Sequence, residues 1–384
     1  MPLIVDNGQL PVGWKIKKLA EVCQIEKIQG IYTNLPYVGM ENIESNTARF
    51  IGSIKPQSVK SSTFKFNSNH VLYGRLRPYL NKVLAPSFEG HCSTEVFPIK
   101  PSECLNKNFL LYWLLMDSTV KRINATCTGA RMPRANMASV LEFNFPLPSL
   151  SEQKRIVAIL DKAFEGIDRA IANAEKNLAN SRELFESYLQ NLDAEKEPLG
   201  NLVDIKTGKL DANAATEKGQ YPFFTCSRDI YKIDRFAFDC EAILLAGNNA
   251  VGDFNVKHYK GKFNAYQRTY VITVNKENRI LYRYLYFQIL KSLKNFKLQS
   301  VGAGTKFLKI GMIQALQIAL PTLEKQQEII FMLDKLESET QRLETIYRKK
   351  IAALNELKQS ILQKAFTGEL TADTPKTIKE KIAA

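Results

Sequence analysis

Arg75-Leu76-Arg77 places two guanidinium groups two residues apart. On an extended strand that spacing puts both on one face. A guanidinium fork can grip phosphates or pair with guanine through two hydrogen bonds in the major groove. Either arginine could equally pair with a carboxylate of its own core. Tyr79 and Lys82 continue the same stretch, H-V-L-Y-G-R-L-R-P-Y-L-N-K-V over residues 70–83. Arg131 and Arg134 lie in a basic loop, C-T-G-A-R-M-P-R (residues 127–134). Lys306 and Lys309 lie in a similar one, G-A-G-T-K-F-L-K (residues 302–309). Asn248 and Asn249 follow an apolar run. Asparagine can bond adenine at two atoms, but paired asparagines also make ordinary turns. Lys257, Lys260, Gln267 and Arg268 form a mixed polar and basic stretch better suited to phosphate than to bases.

Catalytic groups are missing from this inventory. There is no G-x-x-x-x-G-K-[ST] phosphate loop, no N-P-P-Y or D-P-P-Y tetrapeptide, no G-x-S-x-G and no H-E-x-x-H. Glu152-Gln153-Lys154 could imitate a nuclease acid–lysine pair, but it has no partner acid. Its later counterpart is Lys325-Gln326-Gln327. The histidines are His70, His91 and His258, and no two of the six cysteines form C-x-x-C. The expectation is no metal, no cofactor and reduced structural thiols.

The elements that must position these residues occur twice. P-S-L-S-E-Q-K-R-I-V-A-I-L-D-K (residues 148–162) is echoed by P-T-L-E-K-Q-Q-E-I-I-F-M-L-D-K (residues 321–335) at a constant offset of 173. The matches include Gln153/Gln326, Leu160/Leu333 and Asp161/Asp334, and they continue to Gln190/Gln363 without a gap. Each copy reads as a long helix opened by proline and a Ser149 or Thr322 cap. Apolar or small residues fall at 160, 164, 167, 171, 174, 178, 181, 185, 188 and 192, a heptad seam that includes Leu160, Ile167, Ala174 and Tyr188. The second seam runs Leu333, Leu336, Thr340, Leu343, Tyr347, Lys350, Leu354, Leu357 and Ile361, imperfect at Thr340 and Lys350. Helices this long do not bury their own stripes, and packing on each other is the economical solution.

Charge separates the remaining stretches from the helices. The 384 residues carry a net charge of +14: +7 over residues 1–150, −3 over 151–195, +9 over 196–320 and +1 over 321–384. Two basic globules on nearly neutral helices point to a polyanion gripped at two places. Short alternating runs and turn residues make both globules strand-rich, each with one apolar helix, at residues 107–115 and 283–290. The fold class is α+β: two strand-rich globules separated by two long helices that pair as an antiparallel coiled coil, with an internal pseudo-twofold repeat. The expected division is a first globule over 1–150, a central helix over 151–195 and a second globule over 196–322. A C-terminal helix over 323–370 and a polar tail over 371–384 complete it. No run of eighteen apolar residues and no secretory signal is present, so a cytoplasmic protein without a membrane partner is expected.

P-[ST]-L-x-x-Q-x-x-I opening a long helix, twice, resembles the specificity subunit of Type I restriction–modification systems. So does S-I-L-Q-K-A-F-T-G-E-L (residues 360–370). L-Y-G-R-L-R-P-Y-L-N-K-V (residues 72–83) and C-S-T-E (residues 92–95) are similar to first recognition domains of that family. The resemblance implies a non-catalytic DNA-recognition subunit whose two target-recognition domains read a bipartite double-stranded DNA target. It also implies two methyltransferase subunits as partners and restriction subunits in the full complex. The alternative is a coiled-coil adaptor that binds no specific DNA sequence. With metal, ATP and methyl donor supplied, the purified chain alone is expected to hydrolyse neither DNA nor ATP and to transfer no methyl group. Turnover in any of these three assays would contradict a non-catalytic subunit.

Overall fold

The computed structural model describes residues 11–129, 131–190 and 194–372. The opening stretch, the expected seam position Leu192 and the polar tail from Asp373 lie outside them. By contacts the chain divides into two units: one runs to Asn173 and resumes at Lys349, and the other is Ala174–Arg348.

In the first unit, a four-stranded antiparallel sheet has the order Cys23–Ile25, Val96–Pro101, Val71–Gly74, Val83–Leu84. A second sheet has the order Gln29–Gly30, Thr63–Phe66, Gly90–Cys92, Tyr37–Val38, its last pair parallel. In the second unit, six strands join in one sheet: Val203–Thr207, Thr269–Val274, Phe238–Ala246, Val256–Ala265, Tyr221–Phe224, Tyr231–Ile233. The order of its first four strands repeats that of the first unit's leading sheet. The parallel pair recurs too, with His91 and Cys92 at the places of Asn264 and Ala265. In each unit a short two-stranded ribbon ties the entry to the exit: Lys15–Lys18 with Asn144–Leu147, and Lys196–Pro198 with Gln317–Ala319.

The apolar run at 107–115 is a helix, Lys107–Leu115, with all residues from Phe109 to Leu115 buried. A second helix, Asp117–Ala125, follows it after one extended residue, Met116. Their counterpart is one helix, Tyr282–Gln299. The strand expected to carry both Arg75 and Arg77 stops at Gly74. Arg77 instead adopts a left-handed backbone, φ 49°, and leads into a short 3-10 turn at Pro78–Leu80. The two arginines therefore do not share a strand face.

The long helices are Leu150–Gln190 and Leu323–Thr367. The first unit holds the start of the central helix and the end of the C-terminal one, and the second unit holds the reverse. That exchange of ends is the mark of an antiparallel pair. In the first unit Lys358 bonds Asp168 and lies 5.0 Å from the Phe164 ring centre. In the second, Arg182 bonds Glu344 at 2.5 Å, and the Thr340 hydroxyl donates to the Ser181 carbonyl at 3.4 Å. Every expected seam position of the central helix from Leu160 to Tyr188 is buried or half-buried.

The C-terminal seam departs from its expected heptad. Lys350 is exposed and Leu357 is 47% exposed, while Ile351 and Lys358 turn inward. Beyond Tyr347 the inward positions include 351, 354, 358, 359, 361, 362, 365 and 366. Leu354 and Ile361 keep their column, while the position between its members moves one residue along, from 350 and 357 to 351 and 358. This segment packs on the first globule as well as on the central helix, with the Phe366 and Phe109 rings 4.7 Å apart. Gln359 also bonds the Leu115 carbonyl and the Asp117 amide. Leu333, Leu343, Leu354 and Ile361 keep buried or half-buried places.

Gln153 and Gln326 make the same bonds in the two copies of the repeat. Both are 0% exposed. The Gln153 amide donates to the Cys104 and Pro148 carbonyls, each at 2.9 Å, and accepts from the Asn106 N–H at 2.7 Å. Gln326 donates to the Arg279 and Pro321 carbonyls at 2.9 Å and accepts from the Leu281 N–H at 2.8 Å. Replacing either with leucine keeps the bulk but removes the partner of three main-chain groups, most of them half-buried. Each such group costs about 1–3 kcal/mol, so Gln153→Leu and Gln326→Leu should each destabilise by roughly 2–5 kcal/mol. Urea denaturation checks this, and a loss below about 1 kcal/mol would refute it.

Candidate nucleic-acid interface

In the first globule three segments meet at one edge. Arg75 follows the end of its strand. Its N–H donates to the Glu95 carbonyl at 2.9 Å, and its carbonyl accepts from Ala135 N–H at 2.9 Å. Leu76 pairs with Arg134, which also pairs with Thr128 across the basic loop. The side chains then converge on one carboxylate. Arg75 Nε donates to Glu95 Oε2 at 3.0 Å. Arg134 donates to Oε1 through Nε at 2.9 Å and through a terminal nitrogen at 2.8 Å. The Arg75 guanidinium lies 4.8 Å from the Phe97 ring centre, and Lys27 Nζ lies 4.4 Å from the same ring.

Of the other expected positions here, Arg77, Tyr79 and Arg131 are exposed. Lys82 is directed elsewhere: its Nζ donates to the Met40 and Ile43 carbonyls at 2.6 and 2.8 Å and holds that turn in place. Sequence reasoning did not select Lys27, Glu95 or Phe97 as site residues. Glu95 stood in a quoted motif, but a lone carboxylate on a basic surface carried no spacing signal. The register that brings residues 75, 95 and 134 together is long-range.

The second globule builds the same edge from different side chains. Gly247 N–H donates to the Arg268 carbonyl at 2.8 Å, and Leu308 N–H donates to the Gly247 carbonyl at 2.9 Å. Gly247 thus takes the place of Arg75, and Arg268 that of Glu95. Phe307 pairs with Asn248 and Val301, as Arg134 pairs with Leu76 and Thr128. Arg268 is exposed and lies 5.6 Å from the Phe307 ring centre. An open cavity of about 410 Å³ lies among Gly247, Gln267, Arg268, Phe307 and Lys309. Lys306 sits beside it in the strand pair with Asn249.

The remaining expected residues are spread more widely. Asn249 is a turn residue, its side-chain oxygen accepting from the Val251 and Asp253 N–H groups at 2.9 and 3.0 Å. Lys257 is half-buried and bonds the Ser227 carbonyl at 2.7 Å, and burial lowers its pKa. Lys260 is exposed and pairs with Glu241 at 3.1 Å. Gln267 bonds Asp211. Among the described residues, no group of three or more His, Cys, Asp or Glu side chains could hold a metal ion, and no helix is long and apolar enough to cross a membrane.

Both edges are cationic, and in the first a carboxylate, Glu95, is bound directly by two arginines. Burial pushes the Glu95 carboxyl up, but the Arg134 hydrogen bond and the charges of Arg75 and Arg134 outweigh it, so it titrates below the usual range. A depressed folded-state pKa stabilises the fold above the unfolded value of about 4.3, and the effect is lost as pH falls through the folded value. The stability gap between wild type and Glu95→Gln should therefore be largest at neutral pH and should close below about pH 4. Thermal unfolding followed from pH 7 to pH 3 measures it. A gap that widens on acidification would contradict the pairing.

The sequence matches the family described as the Type I restriction modification DNA specificity domain twice, over residues 11–178 and 191–353. The Escherichia coli Type I restriction enzyme EcoDI specificity subunit is 42% identical over 179 residues, 46% of this chain and 38% of that protein. The Salmonella potsdam StySPI specificity subunit is 23% identical over 426 residues, 96% of this chain and 91% of that one. Among solved structures, a chain from a study of Type I R-M assembly and conformational transition superposes with TM-score 0.75 at 21% identity. That match covers 94% of this chain and 100% of the other. The HsdS subunit from Thermoanaerobacter tengcongensis gives 0.52 at 19% identity, covering 96% and 100%.

Proposed function

The chain belongs to the Type I restriction-modification DNA specificity family, and on that premise we propose that each globule reads one half of a bipartite double-stranded DNA target. The observation that carries this is the duplicated edge. Both globules bring a strand end, a turn and a basic loop together through the same main-chain bonds, and each presents cations there. Arg75, Arg77, Tyr79, Arg131 and Arg134 would serve one half-site. Asn248, Gln267, Arg268, Lys306 and Lys309 would serve the other, with Lys260 and Lys257 nearer the phosphates. An adaptor with no DNA role would have no use for two such edges.

The paired helices, in this proposal, set the distance between the half-sites and dock two methyltransferase subunits, with restriction subunits completing a cytoplasmic complex. Most of their seam residues are turned inward, which leaves the outer faces for partners. Exposed Phe331 and Met332 lie on such a face.

The test is methylation of a duplex library randomised in both half-sites and in spacer length, using the chain assembled with its methyltransferase partners. One heptad inserted in each helix, after Ala174 and after Tyr347, adds about 10 Å at 1.5 Å per residue. That is about 3 base pairs at 3.4 Å each. Both half-site sequences should stay unchanged while the preferred spacer lengthens. An unchanged spacer in a folded double insertion would show that other elements set the distance.

A further inference from the structure

Glu95 is an oddity on a surface meant for a polyanion. It is about a fifth exposed, with two arginines bound to it. A carboxylate there repels phosphate, so its presence needs a compensating use. The geometry divides the work unequally between the two arginines. Arg134 is largely committed: Nε and one terminal nitrogen bond Glu95, and the other terminal nitrogen lies 3.4 Å from the Met132 carbonyl. Arg75 bonds Glu95 through Nε alone, and among the described residues its two terminal nitrogens have no partner. Its guanidinium plane is backed by Phe97, and both of its own main-chain groups are bonded. A guanidinium fixed at Nε and on one face presents its remaining N–H groups as a rigid donor edge.

We propose that Arg75 reads a guanine in the first globule's half-site, and that Glu95 is the positioning residue that fixes its orientation, with Arg134 as the counter-charge. This rests on the DNA-reading function proposed above and names the residue and base class that carry it. A flexible arginine would bind phosphate wherever it met it. Held by Glu95, Arg75 gives up some general attraction to DNA and gains direction. Guanine N7 and O6 are the acceptors that match two parallel donors.

This assignment predicts effects of opposite sign. Glu95→Gln removes one negative charge from a DNA-facing edge, so affinity for random-sequence duplex should rise and its salt dependence steepen. Discrimination at one G·C pair of the first half-site should fall about tenfold or more. A merely structural Glu95 would lower binding to all sequences alike. Arg75→Lys keeps the charge but not the fork, and should relax the same base pair by a similar factor. The measurement is binding and methylation of duplex libraries randomised one half-site at a time, by the chain assembled with its methyltransferase partners. If Glu95→Gln fails to assemble, Arg75→Lys alone decides. Unchanged discrimination by Arg75→Lys, a loss confined to an A·T pair, or different positions relaxed by the two variants would overturn the proposal. Wild type without sequence preference in either half would instead overturn the DNA-reading function itself.

Discussion

Each globule is joined to its helix by one buried side-chain amide. Gln153 and Gln326 sit where an extended exit strand, a proline and the first helical turn meet the loop before the globule's own buried helix. That junction leaves three main-chain groups, most of them half-buried, for a side chain to pair. A side-chain amide offers two N–H donors and an acceptor oxygen on one stem, and an unpaired buried group would cost about 1–3 kcal/mol. Asp161 and Asp334, eight residues on, add a second tie at the same offset. Tyr112 donates to the first at 2.5 Å, and Arg283 to the second at 2.7 Å. The far end of the other long helix closes each clamp, through Phe366 on Phe109 in one unit and Phe185 near Phe287 in the other. Each buried helix is thereby held between the beginning of one long helix and the end of the other.

This is why so much was legible in the sequence. Among the residues that repeat at an offset of 173, the pairs Gln153/Gln326 and Asp161/Asp334 make junction bonds, which an apolar residue of the same shape cannot replace. The central seam was legible because its inward positions hold one register from Leu160 to Tyr188, even where Phe164 and Phe185 meet rings of the buried helices. The C-terminal seam was legible only in part, because beyond Tyr347 the inward positions move from Lys350 and Leu357 to Ile351 and Lys358, where the segment also meets the first globule. Arg77 was misplaced because the left-handed turn before Pro78 departs from the strand that the alternating pattern implies, and its N–H is held by the Pro133 carbonyl, far along the chain. Lys82 shows a further limit. A lysine in a basic stretch gives no sign that its ammonium group is turned onto two carbonyls.

The two edges show what the duplicated framework permits. Their shape is made by main-chain bonds: 75 to 95 and 135 to 75 in one globule, 247 to 268 and 308 to 247 in the other. None of these depends on side-chain identity. Arg75 can therefore be replaced by Gly247, Arg134 by Phe307 and Glu95 by Arg268 without altering the strand order or the approach of the loop. The last exchange inverts a charge at the centre of the edge. A carboxylate between two arginines makes a fixed, partly neutralised donor set. An arginine beside a glycine, with Lys309 on the same open cavity, makes a positive recess. These would select different base edges from the same backbone. Specificity can vary on such a scaffold because the groups that hold the edge in place are not the groups that face outward from it.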